Sequence, residues 1–393
     1  MKFQGVDYYH LDDLLSEDEK MTRTLVREFL EKEIEPLVPA AFHEEKALDM
    51  RVLAPKMGEL GMILASLPEE YGGNGANYVT FGLICQEVER VDSALRSFIA
   101  VQYGLVSYAI FRYGSEEQKK KWLPLIARGE KIGCFGLTEP NRGSDVAGME
   151  TVARKTADGW VLNGTKQWIT ESAIADLAVV WARSDEGVKG FIVERGTEGF
   201  SQTSQRNKGS MRASEVGELG FSDCRIPFEN EMPEVKGLSA PLSCLSQARY
   251  GISWGVIGIA MDCYETALNY AKERKQFGAP IASYQLVQEK LVTMLIEITK
   301  AQLLAYRLGQ LMDAGKAGYK HISMAKKNNV AVARMCTRLA RETLGANGIS
   351  LDYSPIRHMA NVESVYTYEG TDDIHTLILG QDITGIPAFR RAV

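Results

Sequence analysis

The hydrophobic period of this chain changes twice, and that limits its possible folds more than any other feature. Ser16 and Glu19 form an S-x-x-E capping box, after which Met21, Leu25, Phe29, Leu30 and Ile34 recur at helical spacing until Pro36. From about Thr151 the period shortens. Thr151 to Lys155 and Trp160 to Leu162 flank the turn Asp158-Gly159, and 177–181, 190–193 and 218–221 read as further strands between Gly-rich or charged turns. Past a loop expected to hold Pro227, Pro233 and Pro241, helical spacing returns over 255–274 and 324–344, with Leu291, Leu295 and Ile298 on one stripe. The order is helices, strands, helices, and the last third is long enough for a bundle that buries a cofactor or an oligomer interface.

Charge narrows the partners. Lys and Arg number 45 against 51 Asp and Glu, a net charge of −6, so there is no basic excess to collect phosphates along a nucleic acid. The apolar stretch from Tyr250 to Met261 is broken by Gly and Ser and closed by Asp262, short of the roughly 20 residues a membrane span needs, so no membrane partner is expected. Residues 1–20 carry Asp7, Asp12, Asp13, Glu17 and Glu19 and show neither a signal nor a transit pattern. Cysteines 85, 134, 224, 244, 263 and 336 are scattered and never spaced C-x-x-C, which suits a reducing compartment and offers no zinc site. The expectation is a bacterial cytoplasmic protein or, from a eukaryote, a mature mitochondrial matrix form.

Common catalytic signatures fail. Gly72-Gly73-Asn74-Gly75 is no G-x-G-x-x-G, and Gly159 to Lys166 ends Gly-Thr-Lys where a P-loop has Gly-Lys-Thr; both read as turns. Neither H-E-x-x-H nor G-x-S-x-G occurs. What remains is a set of polar groups in unusual surroundings. Arg96 is the single formal charge among the 19 residues from Ser93 to Phe111 and needs an anion, since breaking a buried ion pair costs about 3 to 5 kcal/mol. Asp92 at i−4, Glu89 at i−7 and an anionic ligand are all candidates.

Other segments also allow two readings. Residues 134–145, Cys-Phe-Gly-Leu-Thr-Glu-Pro-Asn-Arg-Gly-Ser-Asp, are a polar interdomain loop or a set of hydroxyls and amides presented to a ligand. Trp168 and Thr170 should share a strand face, with Trp168 either in the core or on a ligand. Arg274 closes a helix, where a cation suits the C-terminus with or without a ligand. Glu369 sits in a loop before the apolar helix Ile374 to Leu379, solvated or catalytic.

Taken in order, these segments resemble the acyl-CoA dehydrogenase family along nearly the whole chain. The resemblance rests on Pro68-Glu69-Glu70-Tyr71-Gly72-Gly73, Leu137-Thr138-Glu139-Pro140-Asn141 with Gly143-Ser144-Asp145, Trp168-Ile169-Thr170, Arg274 with Gln276-Phe277-Gly278, and Tyr368-Glu369-Gly370-Thr371. Among its members the glutaryl-CoA dehydrogenases are most similar, through Glu87 to Ser93, Arg96-Ser97, Val101-Gln102, 248–252, 347–350 and 383–386. It implies a mainly α fold with a middle β-domain: an N-terminal helical domain (1–134), a β-barrel-like middle domain (135–240) and a C-terminal four-helix bundle (241–393). It also implies a homotetramer holding one FAD per subunit and passing electrons to an electron-transferring flavoprotein.

By that likeness Trp168 packs on the flavin, Thr138 and Thr170 bond its polar edge, and Gly345 and Thr371 join the cofactor site. Arg274, Gln276 and Phe277 reach FAD across a subunit boundary. Glu369 takes the α-proton of an acyl-CoA while hydride leaves the β-carbon. Some relatives carry the base just before Arg249; here Ala248 stands there and cannot take a proton. Arg96, Glu89, Ser97, Ser144, Arg249 and Tyr368 fall at substrate positions, with Arg96 holding a terminal carboxylate and Tyr368 resembling members that decarboxylate the product to crotonyl-CoA. Two positions depart from the pattern: Ala100 replaces a serine frequent in relatives, and Glu342 to Ala346 replaces a Gln and a Gly-Gly pair. Alternatives are another dicarboxylyl-CoA or a short-chain acyl-CoA as substrate, an oxygen-reducing oxidase, and a non-catalytic FAD- and acyl-CoA-binding assembly protein.

Overall fold

The computed structural model describes residues 7–388. Its first part is helical: α1 (Glu17–Glu33), α2 (Val38–Glu44), α3 (Met50–Glu59), α4 (Tyr78–Val91), α5 (Ser93–Ala100), α6 (Tyr108–Tyr113) and α7 (Glu116–Ala127). The capping box at the start of α1 forms as read, Ser16 Oγ accepting from Glu19 N and Glu19 from Ser16 N at 2.7 Å. Between α5 and α6, Val101–Ser107 winds as a π-helix. There Gln102 exchanges two 2.8 Å hydrogen bonds with the backbone of Gly133 and so fastens the helices to the first strand. Among the described residues the stretch Ser93–Tyr113, and not 250–261, is long and apolar enough to cross a membrane by length and composition. Most of it is buried inside the protein, as in a core helix.

Among the described residues the middle of the chain forms a seven-stranded curled sheet: β1 (Gly133–Gly136), β2 (Val152–Lys155), β3 (Gly159–Thr170), β4 (Leu177–Ser184), β5 (Gly187–Glu194), β6 (Phe200–Gln202) and β7 (Val216–Pro227). The order is β1-β4-β2-β3-β7-β6 with β5 on β4; β1 runs parallel to β4, and β2, β3, β7 and β6 pair antiparallel in turn. Residues 159–166, expected as a turn, are strand, because only Gly159 turns the chain and Trp160 and Leu162 at once pair with Ile226 and Cys224 in the sheet core. The apolar run of β4 is explained by burial on both faces. Ala178, Val180 and Ala182 fill the sheet interior, while Leu177, Val179 and Trp181 point into the helical core. Each large apolar side chain so buried contributes about 1.5 to 3 kcal/mol.

The last part returns to helix: α8 (Ser239–Glu273), α9 (Gln285–Asp313), α10 (Tyr319–Thr343), α11 (Ser354–Thr367) and α12 (Asp372–Thr384), with a small hairpin, β8 (Lys275–Gln276) and β9 (Ala279–Pro280), after α8. α8 starts before Pro241 and not after it, since a proline in the first helical turn gives up an N–H that has no intrahelical partner. α8, α9, α10 and α11 form the bundle, and α8 lies tightly on α4. A Cβ on Gly82 would enter the Trp254 ring and one on Gly258 would meet Gln86 O at 2.1 Å, so these glycines set the closeness of the two helices.

Candidate active site

A cavity of about 1290 Å³ opens where the three parts meet. The π-helix contributes Val101 and Leu105, the loop after β1 contributes Thr138 and Ser144, and the end of β3 contributes Trp168 and Thr170. α8 adds Arg249, and the turn between α11 and α12 adds Tyr368, Glu369 and Thr371. The Ser97 and Thr170 hydroxyls stand 3.5 Å apart on the same wall and join α5 to the sheet.

The turn that carries Glu369 is unusual backbone. Glu369 has φ 53° and Gly370 φ 95°, a left-handed pair that for a non-glycine residue costs about 1 to 2 kcal/mol. It is held from both sides. Arg249 Nε donates to Glu369 O at 2.6 Å, Lys326 Nζ on α10 donates to the carbonyls of Tyr368 (2.6 Å) and Gly370 (2.7 Å), and Thr371 Oγ1 caps α12 by accepting from Ile374 N. The Glu369 carboxylate makes no hydrogen bond among the described residues, and its Oε2 is buried. Burial pushes its pKa up, against the opposing pull of Arg96, Lys326 and Arg249. Burial likewise pulls Lys326 down to about 7 and His375, on α12 beside the turn, down to about 3. The glutamate is therefore not the solvated loop residue that its sequence context also allowed.

Behind Tyr368 lies Arg96. Its Nε and Nη2 bond Glu89 at 2.8 and 3.4 Å, and Nη2 also donates to the Tyr368 hydroxyl, whose ring stands 5.4 Å from the guanidinium carbon. Burial works against the charge, but Glu89 and Tyr368 hold Arg96 protonated above its ordinary range. Its Nη1 makes no hydrogen bond among the described residues. Asp92, the i−4 candidate, is not its partner. Asp92 has extended backbone at a kink between α4 and α5, caps Ala94 N, and takes Arg357 at 2.5 Å and Asn361 at 3.0 Å. The kink breaks the helical i−4 geometry and brings Glu89 under Arg96 instead. Room for the pair comes from Gly255 on α8, where a Cβ would stand 2.1 Å from Glu89 Oε2.

In the sheet, the β3–β7 ladder slips between Lys166 and Ile169, and Trp168 adopts φ 60° within that bulge. The strand alternation thus fails at Trp168, yet both Trp168 and Thr170 face the cavity. The indole is 57% exposed and is no core tryptophan. A large apolar ring held out by strained backbone, with the hydroxyls of Thr138 and Thr170 on the same wall, suits a flat aromatic cofactor with a polar edge.

These features fit what the comparisons show. Residues 16–130 match the N-terminal domain of acyl-CoA dehydrogenases, 134–224 the middle domain and 235–384 the C-terminal domain. The chain belongs to the acyl-CoA dehydrogenase family. It is similar to the crystal structure of glutaryl-CoA dehydrogenase from Mycobacterium smegmatis, 46% identical, with a TM-score of 0.96 over 98% of this chain and 100% of that one. A second structure from the same organism, in complex with FADH2, is 46% identical with a TM-score of 0.95, covering 97% and 98%. Mouse mitochondrial short-chain specific acyl-CoA dehydrogenase is 35% identical over 371 residues, 93% of this chain and 90% of that protein. This acyl-CoA dehydrogenase is an FAD-dependent oxidoreductase acting on acyl-CoA.

The remaining residues expected at the site lie elsewhere in the acyl-CoA dehydrogenase. Arg274, Gln276 and Phe277 sit exposed on the β8–β9 hairpin, and Gly345 is exposed after α10; none lines the cavity of its own chain, and Arg96 and Glu89 are buried behind Tyr368 without lining it. The sequence reading overlooked Lys326, Gly255 and His375. For Lys326 a signal existed: Ile322, Ala325, Lys326, Asn329, Val330 and Ala333 fall at helical spacing, which places the lysine on the buried stripe of α10.

Proposed function

We propose that this acyl-CoA dehydrogenase oxidises glutaryl-CoA, with Glu369 as the base, and decarboxylates the product to crotonyl-CoA. Glu369 removes the α-proton, for which its unbonded carboxylate and raised pKa suit it. Bound FAD supplies the acceptor for the hydride that leaves the β-carbon. Trp168 would cover its ring, and Thr138, Thr170 and Thr371 line the wall around it. Loss of carbon dioxide from the unsaturated acid leaves a dienolate. The proton now on Glu369 can return to it, giving crotonyl-CoA.

The observation that carries this reading is the contact between Arg96 and the hydroxyl of Tyr368, the residue next to the base. It holds a buried cation directly behind Tyr368, a residue of the cavity wall, and such a cation suits an acyl chain that ends in a carboxylate. Ser97 and Ser144 on the same cavity add hydroxyls for the substrate. The similarity to glutaryl-CoA dehydrogenase supports it as well. The test is product analysis by mass after incubation with glutaryl-CoA: crotonyl-CoA is expected, whereas no product, or glutaconyl-CoA alone, defeats the substrate or the decarboxylation.

A short-chain acyl-CoA is the second reading. It is favoured by Glu89, which already neutralises Arg96, and by the likeness to the short-chain enzyme. Comparing kcat/KM for glutaryl-CoA and butyryl-CoA separates the two.

Phe277 is 97% exposed at a hairpin that also presents Arg274 and Gln276, and Val292 and Ile296 leave an apolar face on α9 open. These surfaces support a homotetramer in which the hairpin completes the FAD site of a neighbour. An electron-transferring flavoprotein would take the electrons. Sedimentation of wild type and Phe277→Asp, with FAD content measured in parallel, tests the shared site; a tetramer with full FAD in the variant overturns it.

A further inference from the structure

We propose that Lys326 is a positioning residue for Glu369, holding the left-handed turn that aims the carboxylate into the cavity and supplying a buried cation beside it. The proposal rests on Glu369 being the base. Lys326 lies on the inner stripe of α10 with 1% of its surface exposed. Its ammonium makes no ion pair within 4 Å among the described residues; Asp372 is taken by the neighbouring Lys327. Instead it spends two hydrogens on carbonyls that flank the base, Tyr368 O at 2.6 Å and Gly370 O at 2.7 Å. The carbonyl between them, that of Glu369, goes to Arg249 on α8. Three consecutive peptide oxygens are thus divided between two cations on two helices, which fixes the orientation of both peptide planes around Glu369.

That arrangement explains how φ of 53° persists at a residue whose long side chain makes no hydrogen bond among the described residues. A neutral amine still donates two hydrogens, so the clamp survives loss of the lysine's proton; the charge acts separately, on the carboxylate. Burial pulls the pKa of Lys326 down to about 7, so it loses its charge around neutral pH. The groups facing Glu369 are Arg96 and Glu89 from α5 and α4, Arg249 from α8, Lys326 from α10, Tyr368 from the turn itself, and Asp372 and His375 from α12.

The experiment compares wild type, Lys326→Ala and Lys326→Met as holoenzymes, with glutaryl-CoA and butyryl-CoA as probes. A misplaced base is expected to lower kcat by about 100-fold with KM changed less than about threefold. Loss of the neighbouring cation should move the acid limb of the kcat profile to higher pH by about one unit, because an uncompensated carboxylate holds its proton longer. Small primary amines, added to Lys326→Ala, should restore part of kcat. A variant whose pH profile superimposes on wild type and which amines do not rescue overturns the proposal, as does a rise in KM at constant kcat. If the alanine variant does not retain FAD, Lys326→Met fills the same volume and its pH profile decides. Glu369→Gln run in parallel keeps the two ideas apart: activity in that variant defeats the base assignment whatever Lys326 does.

Discussion

Arg96 reaches back across the kink between α4 and α5 to Glu89, Nε to Oε2 at 2.8 Å, and leaves Asp92 to Arg357. Removing the arginine therefore does two things. Arg96→Met should lower kcat/KM for glutaryl-CoA by about 100-fold or more while that for butyryl-CoA changes only a few-fold, since truncating one partner of a buried charge pair costs about 2 to 5 kcal/mol. It should also destabilise the fold by about 3 to 5 kcal/mol, because Glu89 is left buried without its cation. Unfolding of the holoenzyme measures the second effect, and Glu89→Gln added to Arg96→Met should recover part of it. An unchanged substrate preference would sink the role given to Arg96.

Gly255 offers a test that leaves both charged residues in place. In Gly255→Ala the new methyl would stand 2.1 Å from Glu89 Oε2 and 3.0 Å from Arg96 Cγ. The pair must shift, at an overpacking cost of about 1 to 3 kcal/mol. Lower stability together with weaker preference for glutaryl-CoA is expected. Unaltered unfolding would mean that α8 can back away from α4.

Glu369→Gln keeps the size of the side chain and removes the proposed base. Turnover should fall by about 100- to 10,000-fold. Anaerobic mixing with glutaryl-CoA should then leave the flavin absorbance unbleached, while acyl-CoA still binds. Bleaching at the wild-type rate would assign proton removal to another group.

Burial raises the pKa of Glu369 in spite of three neighbouring cations. A carboxylate takes a proton only when ionised, so with Glu369 as the proposed base activity should fall as pH drops through that raised range. The acid limb of kcat is expected above the ordinary carboxylate range, and a limb near pH 4 would show the carboxylate to be hydrated in the working enzyme.

Trp168 is the exposed tryptophan, and Trp122, Trp160, Trp181 and Trp254 are buried. Adding FAD to apoenzyme should quench exposed-type indole emission in wild type and have little effect of that kind in Trp168→Phe. Trp168→Ala should copurify with less FAD, read from the ratio of visible to ultraviolet absorbance. Full FAD content and an unchanged quench would place the ring elsewhere.

The sequence alone determined the layers of the fold, because hydrophobic period reports which side of an element meets the core. It also marked Arg96 as a cation in need of an anion, because a charge among apolar neighbours is visible without coordinates. It did not decide which anion. Asp92 and Glu89 were both within reach on paper, and the kink at Asp92, together with the space left by Gly255, chose Glu89. Strand alternation put Trp168 and Thr170 on one face, yet a bulge with a left-handed Trp168 aims the indole, and bulges depend on how two distant strands pair. The depth of Glu369 was equally hidden. A short loop between helices reads as solvated until α8 and α10 close over it with Arg249 and Lys326, and that closure is a property of packing between segments 120 and 42 residues apart.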